Sequence, residues 1–390
     1  MKNLAKAFTV TVVLLTALIF SVFAGGKSDG AGGAVPSQAP TVQKVNIGVH
    51  GNGGGAGLAA VAMERGFFAE AGIDPQVVIV ESGPVEMAAM RADNPSLDIG
   101  YIGPGVAWNP IDSSGNSLSF VFFDNLGNSE RLVARKGAFK DSNGNGKYDQ
   151  QEIFDGLKGK SIYLELGTTP GGWLKNLLTV INAGKAAQDQ LWMQCEDAAY
   201  LAGYRAPNSN SANRVQVINY ANANIGAGMA TASESNRVDI ALAFEPVPST
   251  ILNTNKEIEM VADISILPKE MVFPATFVAN SKWLSNNPEL VQKFINALYK
   301  AAVWRAQNPD EAMTMAEKLC QKPAGTFNAS SYYFPTGAEY KEWFSNSNAA
   351  GYGYMRSLYQ GQLPNVPAGA NPKTFERAVD FSFMLKAIAQ

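Results

Sequence analysis

Histidine and cysteine are both scarce in this chain of 390 residues. His50 is its only histidine, and Cys195 and Cys320 are its only cysteines. A structural zinc site needs four ligands, mostly of these two types, so the sequence does not favour zinc. Two cysteines so far apart allow one disulfide at most, which excludes a small scaffold built on disulfides.

Clusters of basic residues are also absent. The chain has 31 Lys and Arg against 34 Asp and Glu, and its aromatic residues are scattered along the sequence. Nucleic-acid binding requires a concentrated basic face, so it is not predicted. The chain has no G-x-S-x-G turn and no phosphate-binding P-loop, so these motifs give no support to a serine hydrolase or a nucleotide hydrolase.

The N-terminus has the three parts of a secretory signal peptide. Lys2 and Lys6 precede an apolar run over residues 7–23, and Ala24 completes a small-x-small cleavage site. We therefore expect residues 1–24 to be a signal peptide; an uncleaved membrane anchor is the alternative. No cysteine lies near the site for lipid attachment. Residues 25–44, rich in Gly, Ser, Ala and Pro, are predicted to be a flexible linker, and a periplasmic or extracytoplasmic location is expected.

Strand and helix patterns alternate along the rest of the chain. The predicted strands cover residues 45–49, 76–80, 97–102, 120–123, 131–135, 160–166, 215–219, 238–244, 258–264 and 273–279. One helix is predicted to begin near Ser82. The other predicted helices cover residues 56–65, 173–182, 227–235, 288–306 and 309–319. Such alternation indicates an α/β fold with mostly parallel sheets flanked by helices, and this length favours two lobes.

Several short motifs resemble one family of transport proteins. They are G-F-F at 66–68, A-G-I at 71–73, D-I-G-Y-I-G at 98–103, D-G-L-K-G-K at 155–160, D-I-A at 239–241, E-P at 245–246, N-P-E-L-V at 287–291 and N-P-D-E-A at 308–312. In this order and spacing they resemble the periplasmic solute-binding proteins of the nitrate, sulfonate, taurine and thiamine-pyrimidine type. Phe244 stands where that family has a tryptophan before its Glu-Pro pair.

The resemblance implies a type II periplasmic-binding-protein fold, in which two lobes close on a ligand and two chain segments cross between them. We expect the crossings near Arg131 and Pro274. This places residues 45–130 and 274–390 in the first lobe and residues 131–273 in the second. It also implies delivery of a small nutrient (a sulfonate, nitrate, taurine or a pyrimidine-like compound) to an ABC importer permease. We expect a monomer that is not an enzyme and has no organic cofactor.

Glycine-rich turns and polar residues at the predicted strand ends are candidate ligand contacts. In parallel sheets a ligand binds beyond the carboxyl ends of the strands, where glycine lets backbone N–H groups approach it. Ordinary tight turns and helix caps are the alternative for these residues. The candidates are His50, Asn52, Gly54, Ser82, Gly83, Gly103, Gly105, Trp108, Asp124, Asn125, Thr168, Thr169 and Glu245. Trp108 and a further tryptophan, Trp173, either stack on a ligand ring or pack in the core.

The acidic candidates bear on the ligand class. Asp124, Glu165 and Glu245 would repel a bare anion, and none of the named turns contains an arginine. A cationic or N–H-bearing ligand is thus at least as well supported as nitrate or an alkyl sulfonate. The alternatives to transport are a sensor module that docks to a membrane receptor and an enzyme similar to the thiamine-pyrimidine synthase. The cysteine-rich motif of that enzyme is absent here.

The most specific motif in the chain is a calcium loop at residues 141–152. Its sequence, D-S-N-G-N-G-K-Y-D-Q-Q-E, fits the pattern D-x-[DN]-x-[DN]-G-x5-E in full. Calcium takes six to eight oxygen ligands, and the predicted ones come from Asp141, Asn143, Asn145, the Lys147 carbonyl, Asp149 through water, and Glu152. A strand rather than a helix precedes the loop, so we expect a structural EF-hand-like site that stabilises the second lobe. A solvated polar loop is the alternative.

Overall fold

The computed structural model describes residues 42–103, 117–127, 129–196, 210–231, 233, 237–268, 271–363 and 373–390. The predicted signal peptide, nearly all of the predicted linker, Gly105 and Trp108 lie outside these residues. Within them, no helix is long and apolar enough to span a bilayer.

The chain folds into two six-stranded sheets with helices around them. Its first section contains β1 (Gln43–His50), α1 (Gly55–Glu64), α2 (Phe67–Glu70), β2 (Ile73–Val80), α3 (Gly83–Arg91), β3 (Ile99–Ile102) and β4 (Leu118–Gly127). The middle section contains β5 (Glu130–Arg135), α4 (Gln150–Leu157), β6 (Ser161–Leu164), α5 (Thr169–Ile181), β7 (Trp192–Cys195), β8 (Arg214–Asn219), α6 (Asn222–Ala230), β9 (Ile240–Phe244), α7 (Val247–Thr254) and β10 (Ile258–Ala262).

The last section returns to the first sheet. It contains β11 (Pro274–Asn280), α8 (Ser281–Asn286), α9 (Pro288–Gln307), α10 (Pro309–Leu319), β12 (Tyr332–Tyr333), α11 (Gly337–Trp343), α12 (Ala350–Gln362), α13 (Phe375–Ala378) and α14 (Ser382–Ile388). Short 3-10 turns occur at Ala187–Asp189, Ser211–Asn213, Ile264–Ile266 and Ala329–Ser331.

The first sheet has the strand order β12-β4-β11-β3-β1-β2. β1 pairs in parallel with β2 and β3, whereas β11 is antiparallel to both β3 and β4. All seven residues of β11 are buried, as expected for a strand that lies between two others with helices over the sheet. The four strands β1 to β4 therefore end at the same edge, where β11 begins.

The second sheet has the strand order β10-β5-β9-β6-β8-β7. β6 pairs in parallel with β8 and β9, and β7 with β8, while β5 is antiparallel to β9 and β10. The strands change sheet between β4 and β5 and again between β10 and β11. This mixed α/β architecture of two sheets confirms the predicted fold class.

Long C-terminal helices cover the first sheet. α1 is buried from Gly55 to Ala62 and packs against α9 and α10. α9 turns an apolar face inward that includes Leu298, Ala301 and Ala302, and buried Arg305 continues this face. These helices thus pack close to the loop that follows β1, which forms part of the candidate site.

A candidate ligand-binding cleft between the two sheets

A cavity that is partly open to solvent lies between the two sheets. The first sheet and its loops contribute His50, Asn52, Gly83, Tyr101, Ile102, Gly103, Gly127 and Tyr332. The second sheet and its loops contribute Ser129, Glu130, Thr168, Thr169 and Phe244. The start of β11 and the residue before it add Phe273, Pro274 and Ala275.

The topology explains why these residues meet. β1, β4 and β9 end in the cavity at His50, Gly127 and Phe244, and the chain enters it just after β3 at Gly103. The antiparallel strands β5 and β11 contribute their first residues instead, because they run the opposite way. This is the edge of an open α/β sheet where ligands bind.

His50 meets a buried carboxylate at the cavity wall. Its Nε2 atom lies 3.0 Å from Oε2 of Glu86, which is fully buried. Burial raises the pKa of Glu86, and the neighbouring imidazole opposes that rise. Two glycines make room for the carboxylate, because a Cβ atom on Gly48 or Gly100 would lie 2.7 Å or 2.4 Å from Glu86 Oε1. The histidine is therefore held by a carboxylate from α3.

Glu130 brings an acidic group into the cavity. Its Oε1 atom accepts hydrogen bonds from the hydroxyl of Ser129 at 3.0 Å and from the hydroxyl of Thr169. The residue is 4% exposed, and burial raises its pKa although both hydroxyls oppose the rise. The described residues that line the cavity include no lysine or arginine, so Glu130 has no cationic partner among them.

Behind Glu130 lies a buried ion pair. Nε of Arg131 is 3.1 Å from Oε1 of Glu245, which also accepts a hydrogen bond from the Ser249 hydroxyl at 2.8 Å. Arg131 also donates to the hydroxyl of Ser331, which comes just before β12. Arg131 thus links the second sheet to the last strand of the first sheet, beside the cavity.

A second buried network supports the opposite wall. Arg305 of α9 donates to Asp124 and, at 2.9 Å, to the Gly54 carbonyl. Asn125 donates to Asp124 at 2.6 Å and to the Tyr101 hydroxyl at 3.0 Å. Arg305, Asp124 and Asn125 are fully buried. The network therefore holds the loop after β1 and the ring of Tyr101, which faces the cavity.

The predicted contact residues divide into two groups. His50, Asn52, Gly83, Gly103, Thr168 and Thr169 line the cavity. Gly54, Ser82, Asp124, Asn125 and Glu245 are not among its described lining; Asp124, Asn125 and Glu245 belong instead to the two supporting networks. Gly105 and Trp108 lie outside the described residues. Trp173 is 2% exposed and packs in the core. Contact with a ligand stays a prediction for each of the candidate contact residues.

Some cavity residues were not found by the sequence reasoning. Tyr101, Glu130, Phe244, Phe273 and Tyr332 line the cavity but were not proposed as contacts. Tyr101 lies inside the D-I-G-Y-I-G motif, and Glu130 directly precedes the predicted crossing. Both positions were available as signals from the sequence. Phe273 and Tyr332 had no local signal, because only the return of the chain to the first sheet brings them to the cavity.

The predicted calcium-loop residues lie elsewhere. None of them lines the cavity. Glu152 lies in the first turn of α4, and the others lie between β5 and α4: Asp141, Asn143, Asn145, Lys147 and Asp149. Among the described residues, the structure has no cluster of three or more His, Cys, Asp or Glu side chains placed to hold a metal.

Comparison with known proteins shows which family part of this chain resembles. The NMT1/THI5 like family model matches residues 196–312. The match confirms the resemblance predicted from the motifs. A curated protein of Brucella abortus (strain 2308), whose name describes it only provisionally as a binding protein, is 28% identical over 276 residues. The alignment covers 70% of this chain and 71% of that relative.

Solved structures share the fold of this chain. The periplasmic nitrate-binding protein NrtA from Synechocystis PCC 6803 matches 90% of both chains with a TM-score of 0.61 and 14% identity. The alkanesulfonate-binding protein SsuA from Xanthomonas axonopodis pv. citri, bound to MOPS, matches 88% of this chain and 99% of its own, with a TM-score of 0.53 and 16% identity.

An enzyme also has this fold. The desulfurization enzyme DSZB matches 88% of this chain and 99% of its own, with a TM-score of 0.55 and 13% identity. At these identities the likenesses establish the fold, which is the two-lobed fold of periplasmic binding proteins. They do not establish a shared ligand or activity.

Proposed function

We propose that this protein is an extracytoplasmic solute-binding protein that captures a small nutrient between its two lobes and delivers it to an ABC importer. The observation that supports this most directly is the cavity between the sheets. Its walls come from both sheets, and they combine aromatic rings with a few polar side chains, as small-molecule sites do. Closure around a ligand would exclude water and give a permease one shape to recognise.

We also propose a ligand that carries N–H groups or a positive charge on a flat apolar body, such as a pyrimidine-like nutrient. Glu130 offers a carboxyl acceptor, and the described lining has no lysine or arginine to attract an anion. Tyr101, Phe244 and Tyr332 offer aromatic surface to a ring. Nitrate and simple sulfonates, the ligands of the structural neighbours, fit these walls less well.

The fold of DSZB makes catalysis the competing proposal, and the cavity supports it poorly. Neither cysteine lines the cavity: Cys195 ends β7 and Cys320 follows α10. The hydroxyl of Thr168 donates to the Glu165 carbonyl and that of Thr169 to Glu130, so neither is arranged with His50 as a nucleophile.

Calorimetric titration tests the ligand class. Nitrate, an alkyl sulfonate, taurine and an aminopyrimidine would be titrated into the wild-type protein and the Glu130→Gln variant. We expect the aminopyrimidine to bind and the substitution to weaken its binding at least tenfold, because the carboxyl group that faces the ligand is lost. Glu376→Gln, which changes an exposed carboxyl on α13, is the matched control and should leave binding unchanged.

Tight binding of nitrate or the sulfonate, unaffected by Glu130→Gln, would contradict the proposed ligand class but support capture of a solute. Conversion of a titrated compound into a product would contradict the non-catalytic proposal.

A further inference from the structure

A twelve-residue loop, residues 141–152, follows β5 in the second lobe and includes the first turn of α4. The ring of Tyr148 packs on Phe139 at 5.8 Å between centroids, and its hydroxyl donates to Glu259 of β10 at 2.8 Å. Asp149 and Glu152 form a capping box at the start of α4. Since β10 and α4 both hold this loop, an ion bound in it would stabilise part of the lobe rather than a free surface segment.

The loop positions match the oxygen donors that calcium requires. Positions 1, 3 and 5 are Asp141, Asn143 and Asn145; position 7 is Lys147, which offers its carbonyl; and position 12 is Glu152. Gly146 stands at position 6 with a φ of 74°, the left-handed conformation that the sharp turn of such loops needs. Amides and a carbonyl supply much of this donor set, so it does not depend on three clustered acids.

The backbone is folded around the first of these side chains. Oδ1 of Asp141 accepts from the amide of Gly144 at 2.7 Å, and Oδ2 accepts from the amide of Gly146 at 2.8 Å. Asn145 donates its amide to Asn143 Oδ1 at 3.0 Å. Position 12 closes the loop, because Glu152 accepts from the amides of Ser142 at 2.6 Å and Asp149 at 2.9 Å.

The charge of the loop is an independent indication of a cation. Glu152 is 7% exposed. The ion pairs that the described residues form within 4.0 Å all lie elsewhere, so Asp141, Asp149 and Glu152 have no Lys, Arg or His partner among them. A buried carboxylate normally has an ionic partner or a metal.

We propose that residues 141–152 bind one calcium ion through Asp141, Asn143, Asn145, the Lys147 carbonyl and Glu152, with Asp149 acting through water. Three of these side chains are anionic, and an isolated site of this kind belongs to the weak extracellular class, with a Kd of about 10⁻⁴–10⁻³ M. The ion holds the loop against β10 and α4 and so stabilises the second lobe. This site is separate from the cleft and does not depend on the proposed ligand.

Terbium luminescence with calcium competition tests the site, because Tyr148 within the loop can sensitise bound terbium. The full chain would be compared with Asp141→Asn and Glu152→Gln, each of which removes the charge and one of the two acceptor oxygens. We expect calcium to displace terbium from the wild-type protein and to bind each variant at least tenfold more weakly. Calcium should also raise the wild-type Tm by a few degrees over the Tm measured in chelator.

Asp155→Asn, one turn further along α4, is the matched control and should bind calcium like the wild type. The variants should still unfold in one cooperative transition in chelator, which shows that they are folded. Absence of terbium signal, equal calcium affinity in all four proteins, or equal wild-type melting curves in calcium and in chelator would each overturn the proposal.

Discussion

Single buried polar residues determine how the walls of the cleft are held. Arg305 lies on a helix face that is otherwise apolar, and its guanidinium packs 4.0 Å from the ring centre of Phe334. It donates to the Gly54 carbonyl and pairs with Asp124, so one side chain connects α9, β4 and the loop after β1. An arginine on the apolar face of a predicted helix is a signal that could have indicated this role from the sequence.

Removal of Arg305 should be strongly destabilising. Arg305→Met leaves Asp124 buried without its charge partner, and we expect a loss of about 3–5 kcal/mol of unfolding free energy in urea. Lys300→Met on the same helix is the control: Lys300 and Glu70 are 56% and 60% exposed, so its removal should cost less than about 1 kcal/mol. Similar losses for the two variants would contradict the proposed role of Arg305.

The buried carboxyl of Glu130 should make stability depend on pH. Burial raises its pKa above the ordinary value of 4.5, so the folded chain holds this proton more tightly than the unfolded chain. Its contribution to stability is then complete below that ordinary value and is lost as pH rises through the folded pKa. We expect the unfolding free energy of wild type minus that of Glu130→Gln to fall as pH rises. Urea titrations at several pH values measure it, and a constant or growing difference would refute this.

The direction of side chains was harder to predict than their position along the strands. Asp124 and Asn125 do lie near the end of β4, as expected, but both are fully buried. Eight consecutive residues of β4 are buried, so there is no alternation of polar and apolar residues to show which side faces the cleft. The glycine turns at Gly83 and Gly103 were predictable because only their place at an edge of the sheet mattered.

At the level of elements, the bounds of a helix were predicted correctly where the sequence marks its ends clearly. α10 spans Pro309–Leu319 as predicted, because an Asn-Pro pair marks its start. α6 spans Asn222–Ala230, whereas residues 227–235 were predicted to be helical; it has no side-chain cap, and Gly226 and Gly228 weaken its pattern. The four-residue strand β7 and two-residue strand β12 were not predicted, because such short segments have no readable periodicity.

The helix α11 depends on its first turn. Thr336 and Glu339 form a capping box there, with each side chain bonded to the other residue's backbone amide. We expect Thr336→Ala to lower the unfolding free energy by about 1 kcal/mol, measured by urea denaturation. Thr314→Ala, an exposed threonine inside α10, is the control and should be neutral or slightly stabilising. An equal loss in the control would show that the cap contributes nothing.

At the level of the whole molecule, the two sheets approach each other closely at the cleft. A Cβ atom on Gly103, after β3, would lie 2.5 Å from Cγ2 of Thr169 at the start of α5. Thr169 also donates to Glu130, so this contact lies beside the acidic group of the cavity. The resemblance to a hinged family implied two lobes that close, but the identity of the touching residues depends on three-dimensional packing.

A larger side chain at Gly103 should interfere with closure. Gly103→Val places atoms where Thr169 now lies, so we expect ligand affinity to fall at least tenfold with little change in Tm without ligand. Gly51→Ala, whose new Cβ would lie 3.4 Å from Ile79 Cγ2, is the control at the same edge and should bind normally. Unchanged affinity in Gly103→Val, by calorimetry, would argue against closure at this contact.

The central claim is that the cleft captures a small solute. Native mass spectrometry of the protein, purified from its own cells without refolding, tests it most directly. We predict a bound molecule of a few hundred daltons at most, present in one copy, bearing N–H groups and depleted in Gly103→Val. A protein that carries no small molecule and binds none from an extract of its cells would contradict the account.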